Sequence, residues 1–267
     1  MIKTLSLFPI CMIILIAACT GDKLLHRDFT IKEPELKKIV SSLPEAMQKK
    51  ILSRPQRFLE RIKDILDIEQ DFLFPVDRNN KLDPNYKPND LVNLKDNSIN
   101  VTKSSLSVRK IIIDNLIALI NKAKGENIDL TIGSAFRTYS YQKQVYAYWV
   151  NIYGQKEADR KSAKPGHSEH QLGTTIDFHP IGDDFIKTPA SSWLLKNAKS
   201  FGFSLSYPEG KEDITGYIYE PWHYRYIGKE TIHVVQEYFS GIHQIFLVFF
   251  NENSSFFRES LVKKNLS

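Results

Sequence analysis

Phe58, Leu59, Ile62, Ile65 and Leu66 recur every three to four positions with charged residues between them, the spacing of a helix that buries one face. Ahead of them Pro34, Pro44 and Pro55 each open a helical pattern, a place where a missing N–H costs nothing. Residues 20–71 therefore read as a short helical N-terminal region. From residue 72 to 94 the pattern breaks at Asn79-Asn80, Asp83-Pro84 and Lys87-Pro88, which predicts an extended loop. Residues 107–124 place Val108, Ile111, Ile112, Leu116, Leu119 and Ile120 on one helical face, closed by Gly125.

In the second half the period shortens. Residues 128–137 predict a strand running into a turn, with Arg137 at its end, and residues 174–178 a β-branched strand after Gly173. Helices are expected over 141–153, over 193–201 with Gly202 as cap, and over 231–239; further strands are expected over 203–207 and 217–219. Short strands mixed with helices make this an α+β chain, a small antiparallel sheet with flanking helices. The apolar run 245–250 is too short to cross a bilayer and reads as a strand or core segment, and the polar stretch after Asn251 as a mobile tail. The expected organisation is a leader over 1–19, the helical region over 20–71, a main domain over 72–240 and a tail over 241–267.

The leader changes the picture of where the chain works. Lys3 is the sole charge before an apolar run over 5–18 that ends Ile16-Ala17-Ala18-Cys19, the form of a secretory signal. An uncleaved span is disfavoured, because fourteen helical residues reach about 21 Å against a hydrocarbon core of roughly 30 Å. The small residues before Cys19 resemble a lipoprotein cleavage box, which implies cleavage before Cys19, lipid attachment there and an extracytoplasmic, membrane-anchored protein. Cys11 leaves with the signal, so no thiol pair remains and the domain folds without disulfides. The net charge of +5 falls to +4 without Lys3, and no basic block is present, which argues against nucleic acid as a partner. A monomer is expected.

Two clusters carry candidate chemistry. The first is Ser168-Glu169-His170-Gln171-Leu172-Gly173-Thr174-Thr175-Ile176-Asp177; the second is Glu220-Pro221-Trp222-His223. His170, Asp177 and His223 are two imidazoles and a carboxylate, the ligand set of an open catalytic zinc, and Glu220 beside them is a base for its water. On one helix His170 and Asp177 would stand about 10 Å apart, too far for two ligands near 2 Å from one ion. Gly173 and the β-branched residues favour a loop, a turn and a strand, with Thr175, Asp177 and His179 on one face and Thr174, Ile176 and Phe178 on the other. Pro221 forces a turn that lets Glu220 and His223 approach one point. Arg137 suits a free terminal carboxylate, which guanidinium grips through paired charged hydrogen bonds.

These residues resemble the zinc D-alanyl-D-alanine carboxypeptidases of the VanY type, over roughly residues 72–228. Ser-x-His, six residues and Asp match Ser168, His170 and Asp177; Glu-x-Trp-His matches Glu220, Trp222 and His223. Ser134-Ala135-Phe136-Arg137-Thr138 with Gln142 is similar to the family's Ser-x-Tyr-Arg-Ser and following Gln. The resemblance implies Zn2+ held by His170, Asp177 and His223, Glu220 as catalytic base, and substrate binding by Arg137, Gln142, Ser168 and Trp222. It also implies peptidoglycan stem peptides as substrate, cut at the D-Ala-D-Ala bond. Thr175, Phe136 and Thr138 depart from the family's usual residues, and none of them is a metal ligand. An L,D-carboxypeptidase acting on tetrapeptides, or a non-catalytic envelope lipoprotein, are the alternatives.

The other histidines read differently. His167 and His179 lie beside prolines and glycines and are expected to support the site or face solvent. His26, His233 and His243 lie outside both clusters and read as surface or packing residues.

Overall fold

The computed structural model describes residues 23–69 and 71–262; the expected leader and Cys19 lie outside them. The chain opens with a hairpin, β1 (Leu24–His26) and β2 (Phe29–Lys32), then α1 (Glu33–Val40), α2 (Glu45–Ser53) and α3 (Pro55–Lys63). The three prolines stand at these helix starts as the pattern predicts, and α3 buries Phe58, Leu59 and Ile62. After the loop come β3 (Leu91–Asn93), β4 (Ser107–Arg109), α4 (Ile113–Gly125), β5 (Ile132–Ser134) and α5 (Tyr139–Lys161), which kinks at Gly154 (φ +75°). Then follow β6 (Thr175–Phe178), α6 (Pro189–Asn197), β7 (Phe203–Leu205), α7 (Glu212–Thr215), β8 (His223–Tyr226), α8 (Lys229–Tyr238) and α9 (His243–Glu259).

The central sheet runs β5-β6-β8-β7 with every neighbouring pair antiparallel. Its register sets Asp177 opposite both His223 of β8 and Ser134 of β5. A slip of one residue would turn Asp177 to the other face, so the buried Ile176 and Phe178 that fix the register also fix the polar pair. One hydrophobic core runs from Phe29 to Phe257, taking in α3, the sheet, α8 and α9.

Four expectations change. The helix expected over 107–124 begins as β4, because Ser107–Arg109 pairs with β3 and the Arg109 N–H is committed to Gly173 O at 2.8 Å. Residues 217–219 are not a strand. Gly216 (φ +83°) and Pro221 bracket them, and the Ile218 N–H donates to Arg160 O, so the backbone is satisfied without a ladder. The strand lies after the second cluster instead, beginning at His223. Residues 245–250 are a core segment, as expected, but helical rather than a strand, and the polar stretch beyond them continues that helix to Glu259 because Ser254 and Phe257 are buried against the core. The chain returns to its start: Leu261 bridges Phe29, and Thr30 N–H donates to Ser260 O at 2.8 Å.

Candidate active site

His170 sits in a short 3-10 turn, Glu169–Leu172, that ends at Gly173 with φ +74°. A Cβ at Gly173 would come within 3.1 Å of both Arg109 and Leu91, so the turn needs glycine for its dihedral and for its space. The turn aims His170 Nδ1 at Ala135 O, 2.7 Å away, which leaves Nε2 facing Asp177 Oδ2 at 3.1 Å. On β8, His223 Nδ1 lies 3.0 Å from Asp177 Oδ1 and 3.4 Å from Glu220 Oε2. The Glu220 carbonyl accepts the His223 N–H at 3.1 Å, closing the turn that Pro221 favours. Sequence-distant clusters thus meet, with the two imidazole rings edge to face at 4.9 Å.

The donor set fits a metal ion. One atom each from His170, Asp177 and His223 lie within 4.8 Å of one another, and all three residues are buried. His170 Nε2 and Asp177 Oδ1 are buried without a hydrogen-bond partner, which in a native interior calls for a cation or water. Burial and the nearby Arg137 charge lower the His170 pKa to about 4, so its ring is neutral with a lone pair free. Burial alone would raise Asp177, but the two imidazoles override it and hold the carboxyl well below its usual range. For His223 burial is likewise overridden, by the Asp177 and Glu169 carboxylates, which raise it to about 10 among the side chains alone. Burial raises Glu220 to about 7, the range for a base that takes and returns a proton near neutral pH.

Glu169, Arg225 and His243 complete the site and were not singled out by the sequence. Glu169 is 1% exposed; its Oε2 takes His223 Nε2 at 3.0 Å and the Ser206 hydroxyl at 2.6 Å. Its Oε1 faces Arg225 Nη1 at 3.3 Å and His243 Nε2 at 3.2 Å. Burial opposes ionisation of Glu169, yet these donors hold it well below the ordinary carboxyl range. His243, from the first turn of α9, is a buried polar link; its Nδ1 meets Ser204 Oγ at 2.8 Å.

A cleft of about 640 Å3 opens over these groups, lined by Arg137, Gln142, Ser168, Glu220 and Trp222 among others. Arg137 follows β5, and its Nη2 stands 3.8 Å from Asp177 Oδ2. Its Nη1 donates to Gln142 Oε1 at 3.0 Å, while Gln142 Nε2 donates to Ala163 O at 2.7 Å. Gln142 is 1% exposed and so acts on Arg137 as much as on the cleft. His167 Nδ1 is tied to Asp77 O at 2.7 Å, and His179 is exposed.

The family model for VanY, described as D-alanyl-D-alanine carboxypeptidase, matches residues 105–229. A putative carboxypeptidase of Bacillus subtilis, YodJ, is 32% identical over 228 residues, covering 78% of this chain and 83% of that protein. Among solved structures, the LdcB LD-carboxypeptidase superposes with a TM-score of 0.58 at 33% identity, over 65% of this chain and 87% of that one. The vancomycin resistance D,D-pentapeptidase VanY, solved with Zn(II), gives 0.56 at 28% identity, over 67% of this chain and 99% of that one. With matching clusters, matching fold and a relative aligned along most of its length, the chain belongs to the VanY-type D-alanyl-D-alanine carboxypeptidase family and is a hydrolase of that class.

Proposed function

We propose that this protein is a zinc carboxypeptidase that removes the terminal D-alanine from peptidoglycan pentapeptide stems outside the cytoplasm, as a monomer tethered by lipid at Cys19. The observation that carries the reading is the strand register that puts Asp177 opposite His223 and brings Glu220 within 3.4 Å of the same imidazole. His170 Nε2, an Asp177 oxygen and His223 Nδ1 would hold the ion. When bound, zinc supplies Lewis acidity toward the scissile carbonyl and makes water acidic enough to lose a proton near pH 7.

The remaining work falls to side chains. Arg137 takes the substrate's terminal carboxylate, steadied by Gln142, so that the last peptide bond lies over the metal ligands. Glu220 accepts the proton of the attacking water and hands it to the departing amine. Ser168 and Trp222 line the pocket around the terminal residue. The likeness to an LD-carboxypeptidase supports a second reading, the L,D bond of a tetrapeptide.

The test is mass analysis of muropeptides after incubation with zinc-loaded protein. Loss of one alanine from pentapeptide supports the first reading, and loss from tetrapeptide the second. A pentapeptide with an amidated C-terminus should resist. No cleavage of either free peptide, or equal cleavage of the amidated one, overturns the exopeptidase reading.

A further inference from the structure

One face of α5 carries large side chains that none of the other described residues covers. Tyr141, Tyr148, Ile152 and Tyr153 are 46%, 59%, 50% and 53% exposed, although each is a residue that ordinarily contributes to packing. Trp149 lies among them, stacked on Tyr153 at 5.4 Å and edge to face with Tyr148 at 5.8 Å. Lys161 Nζ stands 5.7 Å from the Tyr153 ring and helps fix it. An uncovered cluster of this kind marks an interaction surface. The surface is continuous with the catalytic cleft: Tyr141, Val145 and Trp149, spaced four residues apart on one helical face, line that cleft together with Arg137 and Glu220.

We propose that this aromatic ridge binds the glycan strand to which the stem peptide is attached, an inference that rests on the peptidoglycan reading above. Distances along the chain favour this occupant. From Gln142, beside Arg137, to Trp149 is about 10 Å along the helix axis, and to Tyr153 about 16 Å, at 1.5 Å per residue. A five-residue stem held by its terminal carboxylate at Arg137 reaches at most about 18 Å from that end to its sugar, at 3.3 to 3.6 Å per residue. That reach matches the distance from Gln142 to the ridge, and the ridge is continuous with the cleft that holds the stem. The chemistry also fits, because pyranose rings offer C–H faces to aromatic rings and hydroxyls to polar tips, and three of the exposed side chains are tyrosines.

The test is the double variant Tyr148→Ser with Tyr153→Ser, whose side chains are half exposed and stand outside the cleft lining. Two readouts are needed. In the first, kcat/KM is measured on a free stem peptide and on the same stem carried by polymeric glycan. The wild type should prefer the polymer, and the double variant should lose about five- to twentyfold on the polymer, through KM, with less than a twofold change on the free peptide. In the second, wild type and variant are sedimented with glycan strands stripped of stem peptides, which reads the ridge even if neither peptide is cut. Co-sedimentation of the wild type and its loss in the variant support the ridge. Equal kinetics on both substrates, or stripped glycan that binds neither or both proteins alike, overturns it. So does a variant that instead loses binding to phosphatidylglycerol vesicles or self-association while glycan binding is unchanged.

Discussion

Glu169 Oε2 stands 3.0 Å from His223 Nε2, on the side of the imidazole opposite Asp177, so one buried carboxylate leaves Nδ1 as the ring nitrogen facing Asp177 and the proposed metal position. Carboxylates placed this way set the tautomer and orientation of a ligand histidine. Glu169→Gln should therefore weaken zinc affinity by about 10- to 100-fold, read by chelator competition, and Glu169→Ala should do so at least as strongly. Unchanged affinity in both would mean that the sheet alone orients His223.

Glu220 lies 3.4 Å from His223 without belonging to the proposed metal-binding triad of His170, Asp177 and His223. Glu220→Ala is expected to retain zinc at wild-type stoichiometry by elemental analysis while turnover falls by about 10² to 10⁴-fold, the usual contribution of a general base. Loss of the metal along with activity would reassign Glu220 as a ligand.

His243 gives a pH dependence with a definite sign. Burial lowers its pKa from 6.5, against the pull of Glu169, so the folded state stays neutral where the unfolded chain takes up a proton. Its contribution to stability is complete above 6.5 and declines as pH falls below it toward the depressed folded value, at no more than about 1.4 kcal/mol per pH unit for one proton. Between pH 7 and pH 5, His243→Gln should lose stability less steeply than the wild type in denaturant titrations. Parallel curves would place this proton elsewhere.

Phe257 is fully buried near Phe58, Phe249 and Phe256, which joins α9 to α3. Phe257→Ala should cost about 3 to 5 kcal/mol, the range for a phenylalanine removed from a packed core. An unfolding midpoint within experimental error of wild type would show that α9 adds little.

What the sequence disclosed followed from how local each signal is. Gly173, the alternation after it and Pro221 act over a few residues, so the turn, the polar face of β6 and the approach of Glu220 to His223 could be read directly. The helices opened by Pro34, Pro44 and Pro55 were legible for the same reason. Glu169 was not, because its partners lie 37, 54, 56 and 74 residues away and a glutamate inside a motif looks like any solvated charge. Residues 107–109 have helical spacing, and only pairing with β3 and the bond to Gly173 makes them a strand. The tail was misjudged because its overall polarity hides a thin buried stripe, Phe250, the small Ser254 and Phe257, that a helix gathers onto one side.

The closing bridge between Phe29 and Leu261 brings the first hairpin and the end of the last helix to a common edge. Chain entering ahead of β1 and chain leaving behind α9 consequently meet the domain on one flank, so a fusion or label joined at either end would sit on that same side of the molecule.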